Sequence, residues 1–222
     1  MDIIDQAKHR HRRCFGILKP EGLMTRIDQC VAVVMAAGES KRFGERKLYL
    51  DLAGKPVIYH VLDALKQLDL MDVFVVVQPG DELETAYPVL ENPDYQTGQS
   101  SSIRVAMQVE RDWQGVFFCP ADQPFLDPTV MEGMTQWLEE GRIVVPRVQG
   151  RNGSPVLFSK TFQKELTQLR GEEGGRPIIR RHPEAVVYYE LDDDQMFLDI
   201  DTAEDYQSAR LRVREQSPKS CR

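Results

Sequence analysis

The chain lacks several features that would assign it to other classes of protein. Its longest apolar run, Val31 to Ala37, is too short to cross a bilayer, and its N-terminus has no apolar stretch followed by a small-residue cleavage site. Its four cysteines are far apart with no C-x-x-C spacing, which argues against a zinc site or a disulfide framework. A formal net charge of -7 argues against a nucleic-acid-binding surface. These absences predict a cytoplasmic protein that binds neither membranes nor nucleic acid.

The composition is that of a globular domain. Of the 222 residues, 41% are hydrophobic and 28% are charged, which is enough for one sizeable α/β domain. We predict an N-terminal extension at residues 1–29, a single domain at 30–215 and a frayed tail at 216–222. The extension carries a basic cluster, Lys8 to Arg13. We interpret it as mobile, with an anion-binding or partner-binding arm as the alternative.

Short apolar runs alternate with longer helical patterns along the domain. Predicted strands cover residues 31–35, 73–77, 115–119, 143–146, 155–158, 186–190 and 197–201. Predicted helices follow Pro56 and cover residues 101–111, 127–138, 160–169 and 177–181, with a last helix after Thr202. This alternation predicts an α/β fold with three layers and a mostly parallel sheet. Ligands of such sheets bind at the carboxyl ends of the strands.

The loop after the first strand has the composition of a phosphate-binding loop. Small residues leave its N–H groups open to phosphate, Arg42 can bind two phosphate oxygens, and Lys47 adds a compact positive charge. The loop matches neither G-x-G-x-x-G nor the Walker pattern. An ordinary turn with solvated cations is the alternative. The predicted nucleotide contacts here are Ala36, Ala37, Gly38, Glu39, Ser40, Arg42 and Lys47.

Carboxylates follow two other predicted strands. Asp122 comes after the third strand, and Asp199 and Asp201 lie at the end of the last one. Because hard oxygen ligands suit Mg²⁺, we predict Asp122 and Asp201 as metal ligands. Asp199 is either a further ligand or a group that supports the ligands. Helix capping and turn formation are the alternative roles.

Three segments carry a resemblance to a known family. The pattern Ala36-Ala37-Gly38-x-Ser40-x-Arg42-x-Gly44-x-x-Lys47 resembles the signature of the nucleotidyltransferase superfamily that includes the molybdenum cofactor cytidylyl- and guanylyltransferases. Pro-Ala-Asp-Gln-Pro at 120–124 resembles Pro-Ala-Asp-Met-Pro of the cytidylyl branch. Residues 198–205 resemble its Leu-Asp-Ile-Asp-Thr-Pro-Glu-Asp, with Ala203 in place of proline. The resemblance extends from Val31 to Arg210 and implies a Rossmann-like α/β/α sandwich of the nucleoside-diphospho-sugar transferase type.

The same resemblance suggests where the two substrates bind. Residues 92–102 resemble the loop that contacts base and ribose, and residues 153–158 and 171–176 resemble acceptor-side motifs. Ser154 replaces the usual histidine, which leaves the acceptor open. The implied further nucleotide contacts are Gly98, Ser100, Ser101, Pro120 and Ala121. The implied acceptor contacts are Asn152, Gly153, Ser154, Pro155, Gly174 and Arg176.

The resemblance implies transfer of CMP from CTP to the terminal phosphate of a molybdopterin-type acceptor, with release of pyrophosphate. Mg²⁺ would be the cofactor, and Arg42, Lys47 and Asp122 the catalytic residues. The protein partner would be a client molybdoenzyme or its chaperone. One alternative is another phosphorylated acceptor, such as a sugar or polyol phosphate, or the use of GTP. Others are a non-catalytic nucleotide-binding chaperone that delivers a cofactor, and a Rossmann oxidoreductase, which the missing dinucleotide fingerprint disfavours.

Overall fold

The computed structural model of the protein describes residues 25–38 and 46–216. Its strands are β1 (Cys30–Met35), β2 (Asp51–Leu52), β3 (Lys55–Pro56), β4 (Asp72–Val77), β5 (Val89–Glu91), β6 (Gly115–Pro120), β7 (Ile143–Val148), β8 (Arg151–Asn152), β9 (Val156–Ser159) and β10 (Val186–Glu190). Its α-helices are α1 (Val57–Leu65), α2 (Gln99–Ala106), α3 (Pro128–Thr135), α4 (Gln163–Leu166), α5 (Arg176–Arg181) and α6 (Ala203–Gln216).

An eight-stranded sheet organises the domain. Its strands run in the order β10-β7-β9-β6-β1-β4-β5, and β8 pairs with β7 at the side. Along the main path only β9 is antiparallel to its neighbours, β6 and β7. The predicted mostly parallel sheet is therefore confirmed. The strands β2 and β3 form a separate antiparallel hairpin that the sequence does not predict.

Helices cover both faces of the sheet. Along β1, Ala32 and Val34 belong to a core cluster that includes α1 and α3, whereas Val31 and Val33 belong to a second cluster that includes α2 and α5. A parallel strand that is buried on both faces needs a continuous apolar run rather than an alternating one, which is what β1 has. The predicted three-layer arrangement is confirmed.

The connectivity opens a crevice beside β1. From β1 the chain continues to β4 and β5 on one side, and it reaches β6 on the other side only afterwards. In register, Met35 at the end of β1 lies opposite Pro120 at the end of β6. The loops after these two strands consequently leave the same edge of the sheet side by side, at the change of direction where open α/β sheets bind ligands.

The predicted strand at 197–201 is wrong. Gln195–Phe197 is a short 3₁₀ helix, and residues 198–201 belong to no strand. Both edges of the neighbouring β6 are already occupied, by β1 and β9, so no open edge is left for a further strand. The apolar alternation has another cause, because Leu198 and the fully buried Ile200 pack in a small cluster with Leu52 and Ala209.

Three helices are shorter than predicted, and one boundary lies earlier. Helix α2 ends at Ala106 rather than near 111, and α3 ends at Thr135 rather than at 138. Residues 160–169 contain only a 3₁₀ turn followed by the four-residue α4. The domain is predicted to begin at residue 30, but the hydroxyl of Thr25 already donates to the carbonyl oxygen of Leu138 at 3.0 Å. The rest of the predicted extension, residues 1–24, lies outside the described residues. No helix in the described part of the chain is long and apolar enough to span a membrane.

Candidate active site

Side chains from three distant segments converge at the carboxyl edge of the sheet. The ammonium Nζ of Lys47 lies 2.6 Å from Oδ2 of Asp122 and 2.7 Å from Oδ1 of Asp201. Lys47 begins a 3₁₀ turn, Lys47–Tyr49, whose middle residue is buried in the core. Asp122 lies two residues after the end of β6, and Asp201 lies two residues before α6. The structure thus brings together the cation and both carboxylates that the sequence singles out.

The charges in this cluster shift the pKa values of its members. Burial opposes the charge on Lys47, but the two carboxylates outweigh burial and raise the pKa of the ammonium. Asp199 lies beside them. Part of Asp199 is exposed, but the surrounding protein still desolvates its carboxylate. This desolvation is the main cause that raises the pKa of Asp199, and the negative charge of Asp122 is the second cause. The cluster has three carboxyl groups, those of Asp122, Asp199 and Asp201, and one ammonium group, that of Lys47.

These residues fit a divalent cation. Asp122, Asp199 and Asp201 offer hard carboxylate oxygens, and Lys47 neutralises only part of their charge. No group of three or more His, Cys, Asp or Glu side chains among the described residues is already arranged around a metal position. Mg²⁺ in nucleotide enzymes is typically held by one or two carboxylates, with substrate phosphates completing its shell. The arrangement is similar, since the carboxylates of Asp122 and Asp201 converge on one positive group, the ammonium of Lys47.

A helix cap fixes the position of Asp201. The N–H of Asp205 donates to the hydroxyl of Thr202 at 3.1 Å, and the N–H of Thr202 donates back to Oδ2 of Asp205 at 2.8 Å. This reciprocal pair is a capping box, with aspartate at the position that glutamate usually takes. The same Oδ2 also accepts from the N–H of Asp201 at 3.2 Å. The backbone of Asp201 is therefore tied to the start of α6.

The loop after β4 holds both ends of the predicted phosphate loop, which sequence reasoning missed. Nε2 of Gln78 donates to the carbonyl oxygens of Ala37 and Gly38, at 3.4 and 3.2 Å. At the other end, Asp81 pairs with Arg46 and accepts from the hydroxyl of Tyr49 at 2.6 Å. Burial and Asp81 raise the pKa of Tyr49, so this hydroxyl stays protonated as a donor. Gln78 directly follows the buried strand β4, and Asp81 lies in the same loop. This position at the carboxyl edge of the sheet is the signal that could have identified both residues.

Several predicted phosphate contacts lie outside the described residues. These are Glu39, Ser40 and Arg42. The structure places Ala36 and Ala37 in buried positions at the end of β1, and the N–H of Ala36 donates to the carbonyl oxygen of Val76 at 2.8 Å. Gly38 is exposed. On the neighbouring strand, Pro120 and the buried Ala121 lead directly to Asp122.

The predicted base-and-ribose loop packs against residues 171–172. Gly98 has φ 102° and ψ 175°, and a Cβ added there would lie 2.6 Å from the carbonyl oxygen of Gly171. Ser100 and Ser101 are buried. The hydroxyl of Ser101 donates to the carbonyl oxygen of Gly98 at 2.7 Å and accepts from Asn92 at 2.8 Å, so it is already used within the loop. The hydroxyl of Ser100 has no partner among the described residues.

The predicted acceptor residues fall into two groups. Asn152 is exposed on β8, and Gly153 packs so closely on Phe197 that a Cβ added to the glycine would lie 2.1 Å from the ring. Ser154 and Pro155 follow in the same segment. Gly174 lies instead beside Gln99 at the start of α2, next to the base-and-ribose loop, and Arg176 is exposed at the start of α5. One group thus adjoins the segment leading to Asp201, and the other adjoins the predicted nucleotide loop.

The strand order of the sheet, the crevice beside β1 and the charged side chains that converge there are those of one class of protein, the Rossmann-like nucleotidyltransferases. A family model described as the MobA-like NTP transferase domain matches residues 32–186, and the chain belongs to this family. The chain is accordingly a nucleotidyltransferase.

The relatives cover most of the chain. It is 26% identical to the molybdenum cofactor cytidylyltransferase of Escherichia coli, over 82% of this chain and 96% of that one. It is 28% identical to the molybdenum cofactor guanylyltransferase of Vibrio atlanticus, over 78% of this chain and 91% of that one. Among solved structures, the manganese complex of Rv0371c from Mycobacterium tuberculosis superposes with a TM-score of 0.70 at 24% identity. The match covers 82% of this chain and 98% of that one.

Proposed function

We propose that the protein transfers CMP from CTP to the terminal phosphate of a molybdopterin-type acceptor and releases pyrophosphate. The observation that carries the proposal is the contact of Lys47 with both Asp122 and Asp201, beside the loop after β1. The choice of CTP rests on the Ala36-Ala37-Gly38 and Pro120-Ala121-Asp122 segments, which resemble the cytidylyl branch. A relative named for this activity supports the choice of acceptor.

In the proposed reaction, a terminal phosphate oxygen of the acceptor forms a bond to the α-phosphorus of CTP. The bond from that phosphorus to the bridging oxygen of the β-phosphate breaks, and pyrophosphate leaves with the electron pair. A phosphate monoester is already an anionic nucleophile, so no side chain has to remove a proton. The protein therefore contributes by positioning the substrates and by stabilising charge.

Each predicted catalytic residue has an electrostatic task in this proposal. The paired carboxylates keep Lys47 charged, so it can offer its ammonium to the triphosphate. Arg42 and the loop amides would also stabilise the charge of the phosphates. Asp122 and Asp201 would hold a divalent cation, for which we propose Mg²⁺, and the cation would neutralise phosphate charge during transfer. The manganese complex of the structural relative is consistent with a divalent cation.

The proposal is tested by measuring pyrophosphate release from CTP, GTP and ATP, with and without the molybdopterin acceptor. We expect release only with CTP, acceptor and Mg²⁺ together. The substitution D122N should lower the rate by about 10²–10³, because it removes a charged ligand of the proposed cation that neutralises the reacting phosphates. D127N is the matched control, because Asp127 caps α3 through the N–H of Thr129 and asparagine caps equally well.

Each other outcome points to a stated alternative. A D122N rate equal to that of the wild type would end the assignment of Asp122. Release with GTP would change the nucleotide. Release with a sugar or polyol phosphate would change the acceptor, in keeping with serine at position 154. Binding of nucleotide without release of pyrophosphate under any condition would favour a delivery chaperone.

A further inference from the structure

We infer that Gln123 is a positioning residue, whose side-chain amide holds the segment that carries Asp201 against the loop that carries Asp122. The inference rests on the proposed function, because it assigns Gln123 to the support of the same cation site. Gln123 would not touch the substrates. It would set how closely the two carboxylates approach the position of the cation.

The contacts of Gln123 are those of a tether. The residue is 4% exposed, and its Nε2 donates to Oδ1 of Asp199 at 2.8 Å. Oε1 is buried and has no partner among the described residues. A buried amide with one unpaired atom costs free energy unless its other contact compensates. The bond to Asp199 is the compensating contact that the structure provides.

The segment with Asp201 is joined to the loop after β6 by a backbone bond, by Lys47 and by the amide of Gln123. Residues 198–201 are not part of the sheet, so no ladder of hydrogen bonds fixes them. The backbone N–H of Ile200 donates to the carbonyl oxygen of Asp122 at 3.1 Å. The like-charged carboxylates of Asp122, Asp199 and Asp201 repel one another across this junction, and Lys47 offsets only part of their charge. The amide of Gln123 supplies an attractive bond between the two segments, which opposes that repulsion.

Methionine is the matched substitution for Gln123. The motif that residues 120–124 resemble, Pro-Ala-Asp-Met-Pro, has methionine at this place. Methionine has nearly the length of glutamine but cannot donate to a carboxylate. Q123M therefore removes the bond while keeping the volume.

The test measures Mn²⁺ binding to the full chain by electron paramagnetic resonance, with CTP present and without turnover. We expect Q123M to weaken Mn²⁺ affinity at least tenfold, a typical loss when a group supporting a metal ligand is removed. The transfer rate at saturating Mn²⁺ should fall less than threefold, because the substrates are still contacted as before. Q136M, at a partly buried glutamine that ends α3, is the matched control and should bind as the wild type does.

A double-mutant comparison separates the tether from a general packing effect. In a D199A background the bond is already absent, so adding Q123M should cause no further loss of affinity. Equal losses in both backgrounds, or wild-type affinity in Q123M, would overturn the inference. It would also fail if the wild type bound no Mn²⁺. If the wild type binds Mn²⁺ but releases no pyrophosphate, the proposed function fails while the binding comparison still decides the role of Gln123.

Discussion

At the scale of single residues, Asp199 experiences opposing interactions. Gln123 donates a hydrogen bond to its carboxylate, which favours the charged form. Desolvation and the nearby charges of Asp122 and Asp201 oppose the charged form. Together they outweigh the hydrogen bond, because the pKa of Asp199 is raised. A carboxyl with a raised pKa binds its proton more tightly in the folded state than in the unfolded one. Its ionisation therefore lowers stability as the pH rises through the folded pKa.

We accordingly predict that D199N stabilises the metal-free protein at pH 7, by on the order of 0.5 kcal/mol. Asparagine removes the charge, and its carbonyl oxygen can still accept from Gln123. The gain should shrink as the pH falls toward the raised pKa, where the aspartate is protonated as well. Urea unfolding with a chelator at pH 7 and pH 5 measures both effects. D69N, at an exposed position, is the control, and a D199N protein less stable than the wild type would contradict the prediction.

At the scale of elements, the contact between the start of α2 and the turn at 171–172 joins the two predicted substrate sides. Gly98 makes the contact possible, because its backbone adopts φ 102° and ψ 175°, a region that only glycine enters readily. The N–H of Ser100 donates to the carbonyl oxygen of Gly171 at 3.3 Å, and Arg104 donates to that of Leu169 at 2.7 Å. A side chain at position 98 would separate the two elements.

We therefore predict that G98A lowers the free energy of unfolding by about 3 kcal/mol, since strain and a backbone collision add. Its Cβ would lie 2.6 Å from the oxygen of Gly171 and 2.7 Å from Cα of Glu172. G141A is the matched control, because Gly141 has φ 74° but open space around its Cβ position, and it should cost only about 1 kcal/mol. Urea unfolding compares the two, and the KM for CTP should rise only in G98A. Equal losses of stability in both variants would show that the loop contact is unimportant.

The elements also show what the sequence could and could not predict. The continuous apolar runs of β1, β4 and β6 identify buried parallel strands, because burial on both faces leaves no alternation. The alternation at 197–201 is ambiguous, since packing of Leu198 and Ile200 in a small cluster produces the same pattern as a strand edge. Only the occupancy of both edges of β6 separates the two cases, and that is a property of the whole sheet.

At the scale of the whole molecule, residues far apart in the chain share one edge of the sheet. The strands that follow β1 in the sequence are added first on one side of it, as β4 and β5, and then on the other side, as β6. The loops after β1 and β6 therefore leave the sheet side by side. The residue types at this edge could be predicted, because phosphate and a metal require cations, open amides and carboxylates. The particular partners of Gln78, Asp81 and Gln123 could not, because they depend on which loops the fold places side by side.

Because the site is built from all parts of the domain, a bound ligand should stabilise the domain as a unit. CTP with Mg²⁺ at about 100 times the dissociation constant adds roughly 2.7 kcal/mol to the free energy of unfolding. For a protein of this size, that corresponds to a rise in Tm of roughly 5–10 °C. Thermal unfolding monitored by circular dichroism measures the rise with CTP, GTP and ATP, with and without chelator. We expect the full rise only with CTP and metal, and a much smaller one in D122N, which loses a carboxylate of the cluster. An undiminished rise in the presence of chelator would contradict a metal-bound triphosphate, because the phosphates would then bind to the cationic loop alone.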